Sequence, residues 1–255
     1  MIDRLRVLGS GTIIPSKGHG CAGYLLEGSD APLLIDCGPG TLCRLTEAGV
    51  MPDSIGLIII SHFHLDHISD LPAILNARSI LCGGKRKWIK IVGPSGLKRY
   101  MSWLGEWMDR WFADYQLDLV EIGNSDHETD GLRLQSHLTG HTENSVCFRI
   151  SQGGEVSFFY SGDTDYNEQL VPLARHSDLA LFECSMPEDR KLHGHLTPRL
   201  AAILANMAEV QQLVLTHFYQ ENLATDIAAE ASKCYGGPVF LASDLTSYPI
   251  RRSTP

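Results

Sequence analysis

The run Ser61-His62-Phe63-His64-Leu65-Asp66-His67 constrains the fold of this chain more than any other part of it. It follows directly on an apolar, strand-like stretch, Leu57-Ile58-Ile59-Ile60, and precedes a helical pattern over 68–81. Side chains alternate where a buried strand ends, so His62 and His64 can point the same way. Asp66 and His67 then fall on the turn into the helix and can face the same space. Three imidazoles and a carboxylate within six positions are ligands of the type that zinc, manganese or iron accepts. The competing reading is a solvated histidine-rich loop, or a helix cap that merely includes Asp66.

Around this turn the chain alternates between short strands and helices. Strand-like runs over 5–8, 22–27 and 33–36 are separated by the glycine-rich turns Gly9-Ser10-Gly11 and Gly38-Pro39-Gly40. After 57–60 and the helix 68–81 come a strand over 89–92 and a helix after Pro94. Strands near 117–122, 131–136, 145–150 and 155–160 follow. The last third reads as strand 179–183, helix 198–207, strand 212–216, helix 224–234 and strand 239–242. This pattern predicts stacked sheets with helices outside, an α/β chain whose exact arrangement periodicity leaves open. With no linker, low-complexity tract or repeat, residues 1–255 read as a single domain.

Three later strands are each followed by a further potential ligand. His141 lies in Gly140-His141-Thr142, on the turn between the strands 131–136 and 145–150. Asp163 lies in Ser161-Gly162-Asp163-Thr164, just past 155–160, and His217 ends Leu213-Val214-Leu215-Thr216. Strand ends are where an α/β layer opens its active-site mouth.

With these residues in place, the sequence resembles the metallo-β-lactamase superfamily, and within it the ribonuclease Z-like branch of metal-dependent phosphodiesterases. The H-x-H-x-D-H pattern at 62–67, the later histidine, the S-G-D-T aspartate and the L-T-H histidine occur in that branch's order. Leu8-Gly9-Ser10-Gly11-Thr12 with Pro15-Ser16-Lys17, and Ile35-Asp36-Cys37-Gly38, are similar to it as well. The resemblance covers nearly the whole chain. It implies a four-layer αββα sandwich with two divalent metal ions at the edge of the sheets. By the same resemblance His62, His64 and His141 hold the first ion, Asp66, His67 and His217 the second, and Asp163 bridges both. Zinc is the first choice of ion, with manganese or iron next. Open coordination positions would take a shared hydroxide and the substrate. Asp36 would orient one of the ligands through a hydrogen bond.

A second pair fits the same branch. Phe182-Glu183-Cys184-Ser185 looks like its glutamate-bearing loop, and Gly194-His195-Leu196-Thr197 like the histidine loop that accompanies it. A histidine held by a carboxylate beside a dinuclear centre can stay protonated and donate to a departing alkoxide. His195, supported by Glu183, is therefore expected to act as general acid. The structural alternative is that Thr197 caps the helix from Pro198 and His195 is loop surface, and His193 is the rival donor. Asp66, His195 and Glu183 are the expected catalytic residues. An acid beside the ions favours phosphodiesters over carboxylic esters, lactones or thioesters, because alkoxide departure from phosphorus gains most from protonation.

Ribonuclease Z proteins that process tRNA insert a long basic arm, commonly between the His141-type and Asp163-type motifs. Here those residues are 22 positions apart, and 146–160 reads as two strands around Gly153-Gly154. Thirty acids against 21 bases give a net charge of −9, which works against the phosphate neutralisation that duplex nucleic acid demands. A small phosphodiester is thus the expected substrate, cyclic-nucleotide-like as the resemblance to short members of the branch without the arm implies, and stable tRNA binding or tRNA 3′-end cleavage is disfavoured. Alternatives are a carboxylic ester, lactone or thioester hydrolase on the same scaffold, and a protein that keeps the ions without catalysis. A homodimer is implied by the resemblance alone.

The remaining features bound the setting. A mean hydropathy near zero fits a soluble globular chain. The charged start Met1-Ile2-Asp3-Arg4-Leu5-Arg6 lacks the apolar core of a signal peptide, and no apolar run is long enough to cross a bilayer. Seven scattered cysteines without a C-x-x-C fit a reducing, cytoplasmic location and read as small buried hydrophobes. Lys85-Arg86-Lys87 beside Trp88 reads as a solvated turn rather than a nucleic-acid patch. Trp103, Trp107 and Trp111 recur every four residues, and core, interface and pocket wall all remain open for them. His19, His127, His137 and His176 read as surface or structural, although His137 competes with His141 on spacing alone.

Overall fold

The computed structural model describes residues 1–83, 88–108, 116–154 and 156–251. Two seven-stranded sheets are formed, ordered β14-β1-β2-β3-β4-β5-β6 and β13-β12-β11-β10-β9-β8-β7. In the first, β1 (Ile2–Gly9), β2 (Gly23–Gly28) and β3 (Leu33–Cys37) are antiparallel, while β3, β4 (Leu57–Ile59), β5 (Trp88–Pro94) and β6 (Gln116–Ile122) run parallel. The second repeats this plan. Its antiparallel half is β7 (Ser125–Thr129), β8 (Leu132–Leu138), β9 (Val146–Gln152) and β10 (Val156–Tyr160). Its parallel half continues from β10 through β11 (Leu179–Glu183) and β12 (Leu213–Thr216) to β13 (Val239–Leu241). The short β14 (Ser247–Pro249) closes the first sheet against β1.

Alternation along the strands decides which layer each side chain joins. Leu33, Ile35, Leu57 and Ile59 enter the core between the sheets, with Phe148, Phe158 and Tyr160 from the opposite sheet. Their neighbours Leu34, Ile58 and Ile60 face outward into a second core. There they meet α1 (Thr41–Glu47), α3 (Leu71–Leu81) and α4 (Leu97–Met108) through Leu45, Ile74 and Met101. On the far side α6 (Pro198–Met207) and α8 (Ile227–Ser232) pack with Ala201, Ala205 and Ala231. The short α2 (Leu65–Ile68), α5 (Val171–Ala174) and α7 (Gln220–Leu223) complete the order. The result is the expected four-layer α/β sandwich. Each fully buried Leu or Ile contributes about 1.5–3 kcal/mol.

Several elements differ from the sequence reading. The helix over 68–81 is divided, because Pro72 stands at the start of α3 and Asp70 ends the turn before it. The helix expected over 224–234 is shorter than read, Ile227–Ser232, since the Asp226 side chain accepts from the Ala229 amide and starts α8 there. β7 and β14 have no counterpart in the reading. Both are edge strands, and the polar Ser-Asp-His-Glu-Thr of β7 carries no β-forming signal.

The aromatic repeat on α4 is not core. Leu97, Met101 and Leu104 are its buried residues, whereas Trp103 and Trp107 are 54% and 75% exposed. Trp111 and Lys85-Arg86-Lys87 lie outside the described residues. Of the cysteines, Cys37, Cys147 and Cys184 are buried as expected, Cys21, Cys82 and Cys234 are half-buried, and Cys43 is exposed. Burial pushes the Cys147 thiol up to about 12, which suits an inert hydrophobe. No helix among the described residues is long and apolar enough to cross a membrane.

One turn sets how closely the 62–67 segment approaches the sheet. A Cβ on Gly38 would lie 1.9 Å from the Asp66 carbonyl oxygen and 2.6 Å from the Cys21 Cβ. Backbone cannot yield that distance without moving Asp66. Gly38→Ala is therefore expected to destabilise the fold by at least about 1–3 kcal/mol and to weaken metal uptake in the same variant. Thermal melting and a zinc titration on one sample check both effects.

Candidate metal centre

The histidines converge where the parallel strands end. β4 terminates at Ile59, and the chain leaves the sheet through Ile60, whose amide still donates to the Val92 carbonyl at 2.8 Å. Ser61 then bridges the two sheets, its carbonyl accepting from the Val146 amide at 3.0 Å. His64 is the extended residue that starts α2, so Asp66 and His67 stand on one helical turn with their side chains buried. Asp163 follows the Gly162 turn after β10, and His217 follows β12 in a left-handed conformation with φ of 63°. Asp36, at the end of β3, is also left-handed with φ of 52°. Non-glycine residues in that region cost on the order of 1 kcal/mol or more, and here they aim functional groups.

All seven expected ligands come together. His62, His64, His141 and Asp163 form one group able to hold an ion, and Asp66, His67 and His217 form a second. Asp163 stands between them. Its Oδ2 lies 3.6 Å from His62 Nε2, 3.7 Å from His141 Nε2 and 3.5 Å from His217 Nε2. Its Oδ1 lies 3.4 Å from His67 Nε2. In the second group His217 Nε2 is 3.4 Å from both His67 Nε2 and Asp66 Oδ2. His64 offers Nδ1 instead, 3.1 Å from His141 Nε2. A third group, Asp163, His195 and His217, overlaps these.

The outer hydrogen bonds determine which ring nitrogens carry protons. Asp36 Oδ2 can only accept, so His67 Nδ1 donates to it at 2.7 Å. The Gly194 carbonyl likewise takes the Nδ1 proton of His141 at 2.8 Å. In their neutral forms both rings then turn an Nε2 lone pair inward, as a metal ligand requires. His62 Nε2 and Asp163 Oδ1 are buried without any hydrogen-bond partner. Orphaned buried acceptors are costly, and a cation satisfies them. The donor set, imidazole and carboxylate without thiolate, fits zinc, manganese or iron.

Electrostatics follow from the crowding. Burial, and then the positive charge of neighbouring imidazoles, pushes His62 well below the ordinary histidine range, which keeps it a neutral ligand. Burial alone would raise the Asp163 carboxyl, but the imidazoles of His217, His67 and His62 crowded around it outweigh burial and hold it well below the carboxylate range. Zinc at about a thousand times its Kd is expected to stabilise the fold by about 4 kcal/mol. For a chain of this size that is on the order of 10 °C in Tm, and a chelator should reverse it.

The second pair is also assembled. Glu183 is buried at the end of β11, and its Oε1 accepts from His195 Nδ1 at 3.0 Å and from the Thr164 amide at 2.9 Å. Burial disfavours a charged imidazole, but the Glu183 carboxylate outweighs it and raises His195 to about 9. The His195 ring stacks on His217 with centroids 5.6 Å apart. Thr197 caps α6 by accepting from the Leu200 amide at 3.3 Å, so the capping role and the half-buried, Glu183-bound His195 coexist. His193 is exposed, and His137 bonds the Leu138 carbonyl from β8. Neither belongs to these groups of described residues.

Other contacts were not legible in the sequence. The Ile13 amide donates to Asp66 Oδ2 at 3.1 Å, reaching the site from the loop after β1. Tyr160 donates its hydroxyl to Asp36 Oδ2 at 2.9 Å from the facing sheet. Ser61 and Ser185 lie directly against the ligands. The Leu8-Gly9-Ser10-Gly11-Thr12 motif was the available signal for the first contact, and none marked the serines.

Comparison with known proteins shows which family and fold the chain shares. A family model described as a beta-lactamase superfamily domain matches residues 32–218. An uncharacterized protein of Mycobacterium leprae (strain TN) is 30% identical over 268 residues, covering 97% of this chain and 89% of the relative. A ribonuclease Z of Bacillus mycoides (strain KBAB4) is 26% identical over 306 residues, covering 96% of this chain and 98% of the relative. The crystal structure of the metallo-beta-lactamase fold protein YhfI from Bacillus subtilis superposes with a TM-score of 0.85 at 21% identity, covering 98% of this chain and all of that one.

Proposed function

Because the chain belongs to the β-lactamase superfamily, as a metal-dependent hydrolase, we propose that it cleaves small phosphodiesters with two divalent ions, zinc in the first instance. His62, His64 and His141 would hold one ion, Asp66, His67 and His217 the other, and Asp163 would touch both. When bound, such ions lower the pKa of water and neutralise charge that builds on phosphorus during in-line attack.

The observation that carries the reading is the Glu183–His195 pair beside the ligand cluster, with Nδ1 and Oε1 3.0 Å apart. Glu183 fixes the ring through Nδ1, leaving Nε2 as the nitrogen that can hold a proton for the departing oxygen. An alkoxide leaving phosphorus needs that proton, whereas a thioester or activated carboxylic ester does not. The ribonuclease Z relative supports phosphodiester chemistry. Small substrates are supported by the chain between His141 and Asp163, where β9 and β10 follow each other across the Gly153-Gly154 turn.

Hydrolysis of bis(p-nitrophenyl) phosphate in zinc or manganese, lost in Asp66→Ala, is the expected result. Faster turnover of carboxylic esters or lactones than of any phosphodiester would replace this reading with the other hydrolase class.

A further inference from the structure

Two fully buried serines occupy the same chemical position on the two sides of the site. Ser61 Oγ lies 2.7 Å from Asp36 Oδ2 and 3.0 Å from His62 Nδ1. Ser185 Oγ lies 2.7 Å from Glu183 Oε2 and 3.1 Å from His217 Nδ1. A carboxylate has no proton to give, so each hydroxyl directs its single proton there. Towards the imidazole it then has only lone pairs, and the facing Nδ1 must be the protonated ring nitrogen. The Nε2 of His62 and of His217 is left as an inward lone pair.

We propose that Ser61 and Ser185 are positioning residues that set the tautomers of His62 and His217, so that each buried carboxylate holds two imidazoles. Asp36 holds His67 directly at 2.7 Å and His62 through Ser61. Glu183 holds His195 directly at 3.0 Å and His217 through Ser185. The second clamp therefore joins the proton-donating histidine to a metal ligand through one hydroxyl. Ser185 Oγ is also 3.1 Å from His195 Nδ1, which closes the triangle. Without the hydroxyl, His62 or His217 can put its proton on Nε2, and its buried Nδ1 loses its partner.

The proposal rests on the two-ion reading above, and zinc binding tests it independently of turnover. Chelator-competition titrations of the unsubstituted chain should resolve two ions. Ser61→Ala should weaken one of them by about 10–100-fold, and Ser185→Ala should weaken the other by a similar factor. Ser177→Ala is the control. That serine is equally buried but bonds the Ala174 carbonyl and Arg149, so both ions should stay at the unsubstituted affinity.

Two ions indifferent to both serines overturn this proposal alone, as does an equal loss of both ions in each variant. No zinc uptake by the unsubstituted chain overturns the two-ion reading and this proposal with it. The zinc-loaded, unsubstituted protein gives a second measurement that does not depend on a variant folding. Imidazole 15N–1H spectra should show slowly exchanging Nδ1 protons on His62 and His217, and exchange as fast as at exposed His176 would contradict the clamps.

Discussion

Asp163→Ala is expected to lower phosphodiester hydrolysis by more than about 100-fold, beyond the upper end of what losing a ligand's supporting partner costs. The reason is position. Asp163 Oδ2 sits within 3.7 Å of nitrogen atoms from His62, His141 and His217, and Oδ1 faces His67. Removing it takes a negative charge from both ion positions at once. The bound zinc should fall from two ions to at most one. Metal-free Asp163→Ala should also melt below the metal-free parent, because the imidazoles that hold the Asp163 carboxyl well below the carboxylate range make its negative charge stabilising near neutral pH. Asp163→Asn keeps the shape without the charge and should behave alike. Full activity with two ions in either variant would remove Asp163 from the centre.

His195→Ala should separate substrates by their leaving groups. A positioned general acid contributes about 10²–10⁴-fold, and only where the departing oxygen needs a proton. Alkyl phosphodiesters should slow by that factor, and nitrophenyl esters, whose phenolate leaves unaided, by less than about tenfold. Glu183→Gln should move the same way with smaller effect, since the amide keeps the contact to His195 Nδ1 but loses the charge. Zinc content should remain at two ions in His195→Ala. An equal loss on both substrate classes would show that His195 holds the site's shape instead of supplying the proton.

The site was far more legible than its support. His62, His64, Asp66 and His67 announce themselves because a metal needs several ligands at once, and one strand-end turn offers four candidates. His141, Asp163 and His217 stand out as candidates because each follows a strand, apolar before Asp163 and His217 and alternating before His141, which ties ligand chemistry to a visible strand pattern. Glu183 and His195 were found only through the family's loops, since a lone glutamate and a lone histidine carry no spacing. Ser61 and Ser185 were beyond reach for a related reason. Serine is common, and its meaning here depends on a carboxylate and an imidazole brought together by folding. Asp36 contacts Ser61 across 25 positions and Tyr160 across 124, distances that no local pattern records.

The fold shows the same division. The continuous apolar run Leu33-Leu34-Ile35 is openly legible as a strand buried on both faces, and the pleat sends its residues alternately into the two cores. Edge strands such as β7 bury little and so leave a weak pattern. The helix starts at Pro72 and Asp226 were written in residues whose local preference overrode the longer apolar period. The exposed Trp103 and Trp107 illustrate the reverse limit, because aromatic periodicity marks a face without saying what that face meets.

Anomalous diffraction from crystals grown in excess zinc addresses the dinuclear centre itself. Two zinc peaks are predicted, one among His62, His64 and His141, the other among Asp66, His67 and His217, with Asp163 in contact with both. A solitary peak in this cleft, or zinc bound elsewhere while these seven side chains stay apart, would contradict it.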